Sequence, residues 1–171
     1  MRIVNIVAVA VVEDAFDLAL LESRIENAQS SPKTPWLKLR LEPEDYYVAF
    51  YRSGKFLITG IQNFELIDTI VTRILEVLQQ AGVDAKLESV TVHNIVAVDN
   101  VDLHMTLEHL VASLSDAQVS YEPEQFPGLF YKDDDGISYT LFSSGKMIIT
   151  GVKDAEMARK GIERFKTMIT S

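Results

Sequence analysis

Ser53-Gly54-Lys55-Phe56-Leu57-Ile58-Thr59-Gly60 returns 91 residues later as Ser144-Gly145-Lys146-Met147-Ile148-Ile149-Thr150-Gly151. Nearer the start, Val4-Asn5-Ile6-Val7-Ala8-Val9 returns as His93-Asn94-Ile95-Val96-Ala97-Val98 at an offset of 89, and Pro35-Trp36-Leu37 pairs with Pro127-Gly128-Leu129 at an offset of 92. Three segments repeated in one order with almost one offset mark a tandem duplication of a unit of roughly 90 residues. The first copy is residues 1–85 and the second 86–171, with the join near Ala81-Gly82-Val83-Asp84.

Each copy carries the same pattern of elements. A β-rich run (Ile3 to Val12; Leu87 to Val98) precedes an amphipathic helix, Ala15 to Asn27 in one copy and Thr106 to Leu114 in the other. Three strands then follow at 36–41, 46–51 and 55–59, and again at 129–132, 138–142 and 146–150. A long helix closes each copy. From Phe64 to Gln80 the residues Leu66, Ile67, Ile70, Ile74, Leu75 and Leu78 recur at helical spacing, and Gly82 ends the run. Ala155 to Met168 is its counterpart. The order β-α-β-β-β-α, twice over, predicts an α+β fold whose antiparallel sheet has helices on one side only. In 36–41, Leu37, Leu39 and Leu41 share one face while Trp36, Lys38 and Arg40 share the other. A large uncovered sheet face is an interaction surface, and a homodimer joined through it is one way of covering it.

Composition limits the chemistry. The chain has 171 residues, 47% hydrophobic and 24% charged, with no cysteine. It therefore has neither a disulfide framework nor a thiolate metal site. No window approaches the ~18 apolar residues of a membrane span. Met1-Arg2-Ile3-Val4-Asn5 does not read as a signal peptide, so a cytoplasmic location is expected. The net charge of −9 runs against nucleic-acid binding. Binding depends on the charge of one face, however, and many carboxylates fall in predicted helices and loops. Neither a phosphate-cradling glycine loop nor a nucleophile elbow is present, which points away from an enzyme. His93, His104 and His109 invite a metal reading, but positions 104 and 109 are five apart, about 140° around a helix, and share no face. No cofactor is expected.

Tyr121-Glu122-Pro123-Glu124-Gln125-Phe126-Pro127-Gly128-Leu129-Phe130-Tyr131-Lys132 resembles the most characteristic segment of TATA-box-binding proteins, particularly archaeal ones. The paired Asn-Ile-Val-Ala openings and the paired Ser-Gly-Lys…Thr-Gly turns belong to the same pattern. The likeness extends over essentially the whole chain, closer in the second repeat than in the first. It implies a tandem-repeat saddle, a curved antiparallel sheet with helices on the convex face. It also implies a general transcription initiation factor that binds and bends the minor groove of A·T-rich promoter DNA. Minor-groove binding with apolar wedges is the family's own known mode and comes with the resemblance alone. The partners implied are double-stranded A·T-rich DNA, transcription factor B and, through it, RNA polymerase, with no membrane. The protein would then be nucleoid-associated.

Carried over by position, Asn5 and Asn94 would donate to base acceptors at the pseudodyad. Val7 and Val96 would contact base and sugar edges, extended by Leu57 with Thr59 and by Ile148 with Thr150. Arg40, Lys55, Lys132 and Lys146 match phosphate-contacting positions, and Phe126 and Phe142 match the wedges that open a base step. The first repeat departs from this pattern. Thr34 stands for Phe126, Tyr51 for Phe142, and Lys38 for Phe130. Thr140 also occupies a place that the family usually gives to a larger apolar residue. Trp36, where the other repeat has Gly128, is either a displaced wedge or an exposed aromatic for a protein partner. These departures support an alternative, a divergent paralogue working mainly by protein interaction with weak DNA binding.

Overall fold

The computed structural model describes residues 1–114 and 118–170. The chain forms two compact units, one of Asn5–His93 and the other of Asn94–Ser171 together with Met1–Val4. The first unit holds most of β1 (Arg2–Val12), then α1 (Leu18–Arg24), β2 (Gln29–Ser31), β3 (Thr34–Leu41), β4 (Tyr46–Tyr51), β5 (Lys55–Ile61), a 3-10 turn at Phe64–Leu66 and α2 (Ile67–Gln80). Its strands are ordered β2-β3-β4-β5-β1. The second unit follows with the C-terminal half of β6 (Leu87–Asn100), α3 (Leu107–Ser113), β7 (Val119–Ser120), β8 (Gly128–Lys132), β9 (Ser138–Phe142), β10 (Lys146–Val152) and α4 (Ala155–Thr170), its strands ordered β6-β10-β9-β8-β7.

Two differences from the sequence-based expectation have local causes. Each unit has one more strand, because Gln29-Ser30-Ser31 and Val119-Ser120 are too short and polar to show alternation. They are strands by pairing alone, Gln29 with Lys38 and Ser120 with Phe130. The first helix is also shorter than Ala15 to Asn27. Asp17 caps it by accepting the Leu20 N–H at 3.1 Å, and it ends at Ile25, which is extended. The matching caps of the long helices are repeated. Asn63 accepts from the Glu65 N–H ahead of α2, and Asp154 accepts from the Met157 N–H at the start of α4.

Alternation sets which face of each sheet is buried. In the first unit Ile6, Ala8, Ala10 and Val12 of β1, Leu37 and Leu39 of β3, and Phe56 and Ile58 of β5 lie in the core with Phe50. Ile67, Ile70, Val71, Ile74 and Leu78 form the buried stripe of α2. The second unit repeats this with Ile95, Leu129, Leu141, Met147 and Ile149 on the sheet and Ala158, Ile162, Phe165 and Ile169 on α4. Tyr139 stacks on Phe165 with centroids 4.4 Å apart. Each such large apolar side chain contributes about 1.5–3 kcal/mol through burial.

A repeated clamp joins each long helix to a hairpin tip. Arg73 of α2 pairs with Glu44 at 2.8 Å, and Arg164 of α4 pairs with Asp135 at 2.7 Å. The Asp133-Asp134-Asp135-Gly136 run forms the turn between β8 and β9. Asp133 itself is buried, accepting from the Ile137 N–H, the Tyr139 hydroxyl and Arg164. Burial, reinforced by Asp133, holds the Tyr139 hydroxyl well above its ordinary pKa. No helix among the described residues is long and apolar enough to cross a membrane.

Candidate nucleic-acid interface

In both sheets the other face is the open one, and strand register arranges it in matched rows. Thr59 pairs with Tyr47, which pairs with Arg40; in the second unit Thr150 pairs with Ser138, which pairs with Lys132. Leu57, Ala49 and Lys38 form the next row, answered by Ile148, Thr140 and Phe130. The outermost row of the first unit is Lys55, Tyr51 and Trp36, and in the second Phe142 pairs with Gly128. Val7 and Val96 are half-buried on the same strand parity as Asn5 and Asn94.

The two asparagines sit in the same hydrogen-bonded setting. Asn5 Oδ1 accepts the Gly60 N–H at 2.7 Å while its Nδ2 donates to Thr59 Oγ1 at 3.2 Å. Asn94 Oδ1 accepts the Gly151 N–H at 2.9 Å while its Nδ2 donates to Thr150 Oγ1 at 3.0 Å. The glycine geometry makes this possible. The pairing of β1 with β5 shifts register between Ile6 and Ala8, and that of β10 with β6 shifts between Ile149 and Val152. At these bulges Gly60 and Gly151 adopt φ of 103° and 84°, the left-handed region natural only to glycine. A backbone N–H can meet only the amide oxygen, so the –NH2 group is the end that turns to the threonine hydroxyl. One N–H of each amide has no acceptor among the described residues.

The four basic residues named from the sequence share the open-face parity of their strands. Lys55, Lys132 and Lys146 are exposed. Arg40 is partly engaged, pairing with Asp45 at 3.5 Å and lying 5.1 Å from the Tyr47 ring centroid. Lys55 lies 5.2 Å from the Tyr51 ring. Many of the carboxylates responsible for the net charge lie elsewhere, in turns and helices, as at Glu44, Asp68, Asp135 and Glu156.

The aromatic ends of the two units differ. In the second, Phe126 stacks on Phe130 at 4.9 Å and meets Phe142 at 5.8 Å, so three rings form one cluster. Phe126 and Phe130 are 39% and 45% exposed, unusual for residues so apolar. In the first, Trp36 meets Tyr51 at 5.7 Å, and its Nε1–H donates to the Tyr47 hydroxyl at 2.8 Å. Phe130 and Tyr47 belong to these clusters and were not among the site residues read from the sequence. Strand parity was the available signal: 47 and 51 share a face, as do 130 and 132. Among the described residues no group of His, Asp and Glu is arranged to hold a metal ion.

Comparison with known proteins agrees with this arrangement. The sequence profile of the family described as transcription factor TFIID (or TATA-binding protein, TBP) matches twice, over residues 1–81 and 89–171. The TATA-box-binding protein of Aeropyrum pernix is 37% identical over 155 residues, 89% of this chain and 75% of its own length. That of Archaeoglobus fulgidus is 35% identical over 166 residues, 95% of this chain and 91% of its own length. Among solved structures, Methanococcus jannaschii TBP superposes with a TM-score of 0.86 at 31% identity, covering 99% of this chain and 97% of that one. The chain belongs to the TATA-binding protein family.

Proposed function

We propose that this protein is a promoter-binding transcription initiation factor that reads the minor groove of A·T-rich DNA with the open faces of its two units. The observation that carries the reading is the pair of fixed carboxamides at Asn5 and Asn94, each presenting an N–H donor. A·T pairs show only acceptors in the minor groove, and a G·C pair adds an exocyclic amine that meets such a donor unfavourably. Val7, Val96, Leu57, Ile148 and the two threonines supply apolar and methyl surface around each amide. Arg40, Lys55, Lys132 and Lys146 are placed on the same faces to meet phosphates. Phe126 and Phe142, with Phe130 behind them, are the group that enters a base step and bends the duplex.

Recruitment of transcription factor B, and of RNA polymerase through it, belongs to the same reading. Its support is family membership. In the absence of DNA, exposed Phe126 and Phe130 offer a second copy an apolar face to dock on. The competing reading, a paralogue acting mainly through protein contacts, draws on Thr34 and Lys38 where the other repeat has phenylalanine. An electrophoretic shift on an A·T-rich duplex, with and without factor B, separates them. A shift with protein alone, retarded further by factor B, supports the promoter-binding reading; complex formation with factor B and none with DNA favours the paralogue.

A further inference from the structure

The first unit has no phenylalanine where the second has Phe126, and its backbone explains why another residue takes over. In the second unit the chain before β8 makes a turn, with the Phe126 N–H bonded to the Glu122 carbonyl at 2.9 Å. That turn lays the Phe126 ring across Gly128, where an added Cβ would stand 2.6 Å from its Cε1 and 2.9 Å from Thr140 Cγ2. A side chain at position 128 would have to push the ring aside. In the first unit the turn is replaced by a tight hairpin, Ser31 pairing with Thr34, so Thr34 is already part of β3. The position matching Gly128 is Trp36, identified by register: Trp36 pairs with Tyr51 as Gly128 pairs with Phe142. Where the second unit has a glycine covered by the Phe126 ring, the first thus has an indole growing from the strand itself.

We propose that Trp36 is the group that opens the base step at the first unit's end of the DNA, the task that Phe126 and Phe142 perform in the second. The inference rests on the minor-groove reading above. The ring is oriented from two sides. Its Nε1–H is held by the Tyr47 hydroxyl at 2.8 Å, which satisfies the indole's single polar group, and one side leans on Tyr51 at 5.7 Å. Because Tyr47 accepts from Trp36, its own proton has no acceptor among the described residues and is available to a base or sugar oxygen. Arg40 beside Tyr47 and Lys55 beside Tyr51 give this end two cations. Aromatic surface flanked by cations suits stacking on nucleobases next to phosphates. It is less suited to a purely apolar protein contact.

Trp36 is the only tryptophan in the chain, so the unmodified protein reports on it directly. Binding of an A·T-rich duplex is followed by anisotropy of a labelled DNA end, and Trp36 emission is recorded in the same titration. The expected result is loss of Trp36 emission in step with the anisotropy rise. 2-Aminopurine placed at the first unit's end should brighten as its step opens. Trp36→Ala should abolish that brightening and weaken binding about tenfold, the effect of losing one base–aromatic stack. Trp36→Phe should restore most of both. A rise in anisotropy with Trp36 emission unchanged overturns this inference and leaves the DNA reading standing. No rise in anisotropy overturns both. Emission that responds only to added factor B assigns Trp36 to a protein contact and also overturns it.

Discussion

Phe126 lies stacked on Phe130, ring centroids 4.9 Å apart and planes 24° from parallel, although both rings are more than a third exposed. Such a stack presents flat apolar surface without drawing on the core. Replacing Phe126 and Phe142 together by alanine should therefore leave the thermal midpoint nearly unchanged. DNA bending, measured by energy transfer between the duplex ends, should fall sharply. Loss of one or two base stacks at ~1–3 kcal/mol each corresponds to about fivefold weaker binding or more. Thr34→Ala should change neither quantity. Bending that survives the double substitution would remove the wedge role from this cluster.

The carboxamide of Asn94 can be tested without disturbing the bulge that holds it. In Asn94→Asp a carboxylate oxygen still accepts the Gly151 N–H, so the fold persists. The amide donor is lost and a negative charge faces the base acceptors. Affinity for an A·T-rich duplex should drop by on the order of 2 kcal/mol, about thirtyfold. Asn5→Asp should behave alike, since the same bonds hold Asn5. Unchanged affinity in both variants would mean that the amides serve only the bulge.

Salt dependence reads the basic residues. With Arg40, Lys55, Lys132 and Lys146 releasing counterions, the slope of log affinity against log salt should be about −4 despite the acidic composition. Lys132→Ala should reduce its magnitude by about one. Arg40→Ala should reduce it by less, because Arg40 already shares its charge with Asp45. A slope near zero would remove these contacts.

Acid stability should be sensitive to Asp99. Partial burial pushes this carboxyl up, but hydrogen bonds from Lys166 at 3.0 Å and from the N-terminal ammonium at 3.1 Å outweigh it. The net pKa lies below the ordinary 3.8. A lowered carboxylate pKa stabilises the folded state above the unfolded value, and the stabilisation disappears as pH falls through the folded one. Urea midpoints of the unmodified protein and Asp99→Asn should thus differ most near neutrality and converge below pH 3.8. A difference that stays constant with pH would assign the effect of Asp99 to something other than its charge.

Much of this was legible in the residues because it depends on periodicity. The strict alternation at Leu37, Leu39 and Leu41 and the helical spacing from Ile67 to Leu78 place core and open faces without reference to coordinates. That Gly60 and Gly151 hold the two asparagines is a contact between strands that the repeated Thr-Gly pairs do not announce. Other features depend on contacts that no local pattern carries. Gln29-Ser30-Ser31 has no strand signal of its own and is ordered by pairing with β3. Nothing in the run Asp133-Asp134-Asp135-Gly136 sets Asp133 apart, yet it is buried because Tyr139 and Arg164 reach it from β9 and α4. The bond between Trp36 and Tyr47 crosses from one strand to the next and follows only from register.

Base-analogue substitution isolates the minor groove from the major one. An inosine·cytosine pair has the minor-groove face of A·T, because the exocyclic amine is missing, and the major-groove face of G·C. Affinity should be measured on three duplexes of one length at one salt concentration: an A·T-rich site, the same site with its pairs replaced by I·C, and the same site replaced by G·C. A·T and I·C duplexes should bind alike, and the G·C duplex should bind much more weakly. An I·C duplex that binds as poorly as G·C would place recognition in the major groove and contradict the minor-groove reading, as would equal affinity for all three.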